Sequence, residues 1–143
     1  MNVQKLPKTG SDLWEAFKNA RVPSPTELQG AYAVDMLTAL PSLKRFGHRK
    51  VFVPAPGMAT GMNVLLKNLR WGRFFLEEAV MADQERLRVL VINYNTRGNS
   101  FLTRGIRDYV RAVEGTRLYL GRFNMIINGK PRFLGYFSLT KID

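Results

Sequence analysis

Cysteine is absent from this chain and histidine occurs once, as His48. The lack of thiols excludes disulfides, a thiolate nucleophile, Cys-ligated zinc and Cys-held iron–sulfur clusters. With a single imidazole, a hydrolase built on a His base would have to use His48, and a metal site would rest mainly on carboxylates, so no metal site is predicted. Acids are also scarce: eleven Asp and Glu stand against twenty-two Lys and Arg, a net charge of +11 that predicts attraction to something anionic. No apolar run approaches the roughly 20 residues that span a bilayer. Met1 to Gly10 carries lysines without an apolar stretch behind them, so the expectation is a soluble, cytoplasmic protein. Gly57, Gly61 and Gly72 are too scattered to cradle a phosphate and no nucleotide fingerprint occurs, which disfavours nucleotide-driven chemistry.

What is present is enough for one folded domain. At 143 residues and 45% hydrophobic content the chain can build one core that buries roughly two-thirds of its unfolded surface. Residues 1–143 read as a single domain, with an N-terminal arm and capping helix over 1–27 and a β-barrel over 28–143. Ser11 is a good helix N-cap, Asp12 and Glu15 suit the first turn, and Leu13, Trp14 and Phe17 recur at helical spacing. Pro23 and Pro25 end that helix near Arg21.

From Gly30 the hydrophobic period changes to two. Tyr32, Val34 and Met36 alternate with Ala31, Ala33 and Asp35, which predicts a first strand. Arg49 to Val53, stopped by Pro-Ala-Pro-Gly at 54 to 57, predicts a second, and Gly61 to Lys67 a third. Gly72 to Ala82 alternates as a strand, with a helix as the alternative reading because Glu77 and Glu78 are good helix formers. Asp83-Gln84-Glu85 reads as a turn before the alternation of Leu87, Val89 and Val91, and Asn95 to Ser100 as a loop. Ile106 to Val113, Arg117 to Ile127 and Phe133 to Thr140 complete about eight strands, the last two joined by Asn128-Gly129, a strong hairpin signal. Short turns between sequential strands predict an antiparallel meander, and closure into an up-and-down barrel removes its exposed edges. The fold class is therefore mainly β.

Leu28-Gln29-Gly30-Ala31-Tyr32, following a short helix and opening the first strand, resembles the Gly-x-Trp signature of lipocalin and related calycin barrels, with Tyr32 in place of Trp. Tyr119-Leu120-Gly121-Arg122 and Leu134-Gly135-Tyr136-Phe137-Ser138-Leu139 look like the late strands of small bacterial lipocalin-like domains. The resemblance implies a lipocalin-like barrel, capped by the helix, that binds small hydrophobic or amphipathic molecules. It further implies a basic side chain packed over the signature aromatic, and Arg122 is the candidate. Related haem-binding barrels use a late-strand His; His48 lies in the first half, so neither haem nor any other cofactor is predicted.

Taking the more apolar face of each strand as inward lines the barrel with Tyr32, Val34, Met36, Phe74, Leu76, Leu87, Val89, Val110, Tyr119, Phe123, Met125, Phe137 and Leu139. Such a lining suits a flat apolar ligand, or else simply fills the barrel. The predicted ligand contacts are Tyr32, Met36, Phe74, Tyr119, Phe123 and Phe137, joined by Arg107, Tyr109 and Arg111. Arg107-Asp108-Tyr109-Val110-Arg111 resembles the Arg-x-Tyr head-group site of intracellular fatty-acid-binding proteins and, if inward, would clamp an anionic head group. Facing outward is the simpler reading, because burying two guanidinium groups is costly. The same face choice turns Asp108 and Glu78 inward, the weak candidates for a general acid and base.

Charge is uneven: Met36 to Leu76 holds seven basic residues and no acid, and Arg97 to Phe133 eight basic residues and two acids. Basic strands interleaved with Tyr and Phe suit single-stranded nucleic acid, while an anionic membrane or ligand would explain the same composition. The leading expectation is a non-enzymatic barrel that binds a small apolar or amphipathic anion. Its alternatives are a nucleic-acid-binding barrel and a cavity isomerase or hydrolase using an internal carboxylate. A homodimer is a further expectation, since a second subunit would cover any unpaired strand edge.

Overall fold

A computed structural model describes residues 6, 7, 9–81 and 86–142. The helix α1 spans Gly10–Lys18. Its cap is Thr9, two residues before the expected Ser11: Thr9 is extended and its hydroxyl accepts from the Asp12 N–H at 3.2 Å, which satisfies one free donor of the first turn. The helix stops at Lys18, and by Arg21 the backbone is already bridged to Ala112.

Eight strands follow: β1 Gly30–Met36, β2 Arg49–Val53, β3 Thr60–Leu65, β4 Leu69–Val80, β5 Arg88–Asn93, β6 Ile106–Ala112, β7 Leu118–Ile127 and β8 Lys130–Lys141. Each pairs antiparallel with the next, and β8 returns to β1 with Val34 opposite Leu139, so the sheet closes into the expected up-and-down barrel. β4 is a strand along its whole length, with Phe75 opposite Asn93; closure gives its backbone partners on both sides, outweighing the helix propensity of Glu77 and Glu78. Asn128 and Gly129 both adopt positive φ, 53° and 76°, the twist a two-residue hairpin requires. The predicted turn at Asp83-Gln84-Glu85 lies outside the described residues.

Two apolar clusters share the strands. The interior holds Tyr32, Val34, Phe52, Phe74, Leu90, Ile92, Val110, Phe137 and Leu139, among others. Outside the wall, Leu13 and Phe17 of α1 pack on Val89, Val91, Leu120 and Tyr136. This corrects two expectations. Leu87 and Val89 belong to the outer cluster, because β5 is apolar on both faces and period two alone cannot choose between Val89 with Val91 and Leu90 with Ile92. The helix does not cap the barrel either; it lies against the outer wall, where its apolar stripe covers that second face.

Alternating strands give the barrel two distinct ends. One end carries the connections 37–48, 66–68, 94–105 and 128–129, and is called here the open end. The opposite end carries residues 54–59 and 113–117 and the arm leading into β1, and is called the plugged end.

Candidate functional site

The interior toward the plugged end is filled. Tyr119, Tyr32, Phe52, Phe74 and Tyr94 form a chain of rings with centroids 5.3 to 5.8 Å apart, mostly edge to face, the geometry that aligns a positive ring edge with a negative ring face. Gly121 makes this packing feasible, since a Cβ there would collide with the Phe137 ring. Beyond Tyr119 the arm closes the end: its hydroxyl donates to Glu27 at 2.7 Å, and Arg21 donates to both oxygens of the same carboxylate at 2.9 and 2.8 Å.

Toward the open end the lining changes to polar groups. Lys50 Nζ donates to Asn63 Oδ1 at 2.8 Å and to the Tyr94 hydroxyl at 2.5 Å, and lies 3.4 Å from Asp108 Oδ2. Asn63 Nδ2 donates to the Tyr94 hydroxyl at 2.9 Å and to the Gly72 carbonyl at 3.3 Å, which fixes Oδ1 as the acceptor. His48 Nε2, 3.1 Å from that Oδ1, must therefore carry the proton. With two donors already aimed at its oxygen, Tyr94 turns its own proton toward Asp108 Oδ2 at 3.5 Å. All five side chains are buried, Asp108 to 1% exposure. An ammonium and a carboxylate removed from water this completely persist only because each compensates the other.

Burial dominates the electrostatics. It pushes His48 down to about 4, with the nearby Lys50 charge acting in the same direction, so the imidazole is neutral at physiological pH. It lowers Lys50 and raises Asp108, and the attraction between the two opposes both changes. The Tyr94 phenol is raised by burial and by the Asp108 charge.

Above this cluster is a cavity of about 150 Å³, lined on its apolar side by residues such as Met36, Leu43, Ile106, Phe123 and Phe137, and on its polar side by His48, Lys50, Trp71, Tyr94 and Asp108. Two buried polar atoms of the lining have no partner: Trp71 Nε1, a donor, and Asp108 Oδ1, an acceptor. A larger hollow of about 660 Å³ lies on the outside of β2 to β4, over Val51, Met62 and Phe75 with Arg49, Arg70 and Arg73 around it. It is an open surface groove, and only the interior cavity is lined by the buried polar cluster.

The predicted ligand residues divide into three groups. Met36, Phe123 and Phe137 line the cavity. Tyr32, Phe74 and Tyr119 belong to the packed interior. Arg107, Tyr109 and Arg111 point outward, so the inward clamp does not form: Arg107 donates to the Arg104 and Ile106 carbonyls, Arg111 to the Ala20 and Arg88 carbonyls beneath α1, and Tyr109 packs at the edge of the outer cluster. The alternation that turns Asp108 inward turns these three outward. Glu78 is exposed toward the end of β4 away from the cavity, and the predicted two-carboxylate pair does not form; Asp108 is paired with Lys50 instead. Arg122 lies outside over Trp14, Phe133 and Tyr136, while the cation over Tyr32 is Lys141, 5.1 Å from the ring centroid.

Lys50, Asn63, Trp71 and Tyr94 were not singled out by sequence reasoning, and His48 was considered only as the single imidazole, not as a cavity residue. A signal was present, because His48, Lys50 and Phe52 share one parity and Phe52 is the most apolar of that trio, but Arg49-Lys50 reads naturally as surface charge. Among the described residues, no three His, Asp or Glu side chains are grouped to hold a metal ion, and no helix is long and apolar enough to cross a membrane. No known family, curated protein or solved structure matches the chain.

Proposed function

We propose that the barrel is a non-enzymatic binding protein for a small, flat, mostly apolar molecule with one polar edge, held in the open-end cavity. The observation that carries this is the pair of unpartnered buried atoms, Trp71 Nε1 and Asp108 Oδ1, on the polar side of a mostly apolar cavity. A buried donor and acceptor without partners each cost stability, and a ligand offering one acceptor and one donor would recover that cost. The volume sets the size. Cavities of about 150 Å³ admit a molecule such as benzene, so the ligand is about one ring, and the filled interior below leaves no channel for a long acyl tail. Its polar edge is neutral, because Lys50 is already compensated by Asp108 and the arginines that suggested an anionic head group face outward. The resemblance to lipocalin-like barrels supports the same reading.

Native mass spectrometry of freshly purified protein, set against its denatured mass, tests this together with phenol as probe. The expected result is a stoichiometric small molecule, or, for empty protein, a melting temperature that rises with phenol concentration in the wild type and not in Phe123→Trp, which fills the cavity. A bare polypeptide that phenol and indole both leave unshifted would overturn the proposal.

A further inference from the structure

The distribution of charge and exposed apolar side chains about the barrel axis is strongly one-sided. Segments 36–49, 65–73, 94–107 and 124–133 build the open end and its approaches. By sequence they hold eleven of the twenty-two Lys and Arg and none of the eleven Asp and Glu. The remaining chain therefore has eleven of each sign and sums to zero, so these four segments carry a charge equal to the whole net +11. Asp35, at the border, is occupied by Ser42 and lies 3.9 Å from Lys44.

Exposed hydrophobic side chains follow the charge. Of twelve large ones exposed among the described residues, only Val53, Met58, Val80 and Ile142 lie elsewhere. Leu40, Phe46, Leu66 and Leu69 stand on the 37–48 loop and the β3–β4 hairpin, and Ile127 and Phe133 on the β7–β8 hairpin. The most exposed are Phe101 and Leu102, at 88% and 75%. Their loop is braced from below: the Asn99 amide bonds the Arg73 and Tyr94 backbones, and Arg104 donates to the Asn99 and Arg97 carbonyls. The loop thus presents two apolar side chains to water on a firm base, between Arg97 and Arg104.

We propose that the open end docks on anionic lipid membranes, with Phe101 and Leu102 entering the headgroup–acyl boundary and the surrounding cations resting on the headgroups. Apolar side chains ringed by Lys and Arg on one face are what interfacial binding requires, and the negative surface of such a membrane supplies the opposite charge. The aliphatic character of the rim selects lipid over single-stranded nucleic acid. A bound strand stacks successive bases on several open aromatic faces, whereas Phe46 and Phe133 are covered by Arg45 and Arg122, Leu40, Leu66, Leu69 and Ile127 give a base nothing to stack on, and Phe101 offers one open ring beside the aliphatic Leu102. This inference stands on charge and exposure, independently of the cavity's occupant.

Flotation of the full chain with phosphatidylcholine vesicles, with and without phosphatidylserine, provides the test. Expected are binding to the serine-containing vesicles alone, weakening as salt rises, and a drop of at least about tenfold for Phe101→Ser with Leu102→Ser. Arg117→Glu, at the plugged end, should leave partitioning within about twofold, since its charge lies far from the contact on the scale of the screening length. No flotation, equal flotation on pure phosphatidylcholine, or an unchanged double variant would overturn the proposal. So would a single-stranded oligonucleotide that displaces the protein from vesicles and binds the double variant as tightly as the wild type, which would assign the face to nucleic acid.

Discussion

At the plugged end, Tyr32, Phe52 and Tyr119 fill the barrel with rings that satisfy one another, and Arg21, Glu27 and Tyr119 form a short polar clasp at its mouth. At the open end the same strands carry Lys50, Asn63, Tyr94 and Asp108 into the interior, leave a cavity above them, and surround it with unbalanced positive charge. Removing any one ring at the plugged end leaves apolar neighbours around a void. Removing one charge at the open end leaves its opposite buried and alone. The difference teaches that one end contributes stability by ordinary packing, while the other tolerates an expensive arrangement that packing alone would never select.

The sharpest way to break this comparison is Lys50→Met. It abandons the Asp108 carboxylate in the interior and should cost about 3 to 5 kcal/mol in urea unfolding. Adding Asp108→Leu should restore most of that loss, because a matched apolar pair has no desolvation cost, while phenol no longer shifts the melting temperature. Were the double variant as unstable as the single, the polar cluster would be a structural staple and the two ends would not differ in kind.

Much of this contrast is written in the strands, but unevenly. Closure of the barrel followed from period-two alternation, short turns and Asn128-Gly129, all local signals. The facing of a strand is not local. β5 offers two apolar faces, and only the position of α1 shows that Val89 faces out. The cluster was hidden for a related reason: Lys50 and Asp108 are separated by about half of the barrel's sequence, and neither makes sense indoors until closure brings them within 3.4 Å. Asp108 could be placed inward by parity, yet its predicted partner, Glu78, shares that parity at the wrong height along the axis. Met36, Phe123 and Phe137 were recoverable because aromatic or Met residues on an apolar parity line a cavity as readily as they fill a core.

A second, smaller effect belongs to His48. Its pKa is 6.5 in the unfolded chain and about 4 in the fold, so between those values the unfolded chain takes up a proton that the native state refuses. Stability must then fall as pH drops through that window, by up to about 3 kcal/mol. Asp108 acts with the opposite sign, since its raised pKa lets the native state bind a proton first as pH falls toward 3.8, and Glu27, lowered chiefly by its hydrogen bond from Arg21, adds a loss of its own at acid pH. Unfolding free energies of the wild type and His48→Gln, measured from pH 7 to pH 4, isolate the imidazole by difference. The wild type should lose ground to the variant steadily on acidification; parallel curves would mean that His48 is not held neutral and that the open end is wetter than its burial indicates.

The smallest expected effect comes from the plugged end and serves as the control for all the others. Burial, with Glu27 beside it, pushes the Tyr119 phenol up, so its hydroxyl stays protonated and donates to Glu27 throughout the neutral range. Tyr119→Phe removes that one bond, leaves the ring in its place between Tyr32 and the arm, and leaves Glu27 still held by Arg21. The cost should be about 1 to 2 kcal/mol, since the carboxylate loses a donor without being orphaned. Phenol binding and vesicle flotation should stay at wild-type levels, because the change lies at the end of the barrel away from both. A Tyr119→Phe protein that unfolded as easily as Lys50→Met, or that lost either binding activity, would show that the two ends act as one unit and that the division of labour between them is false.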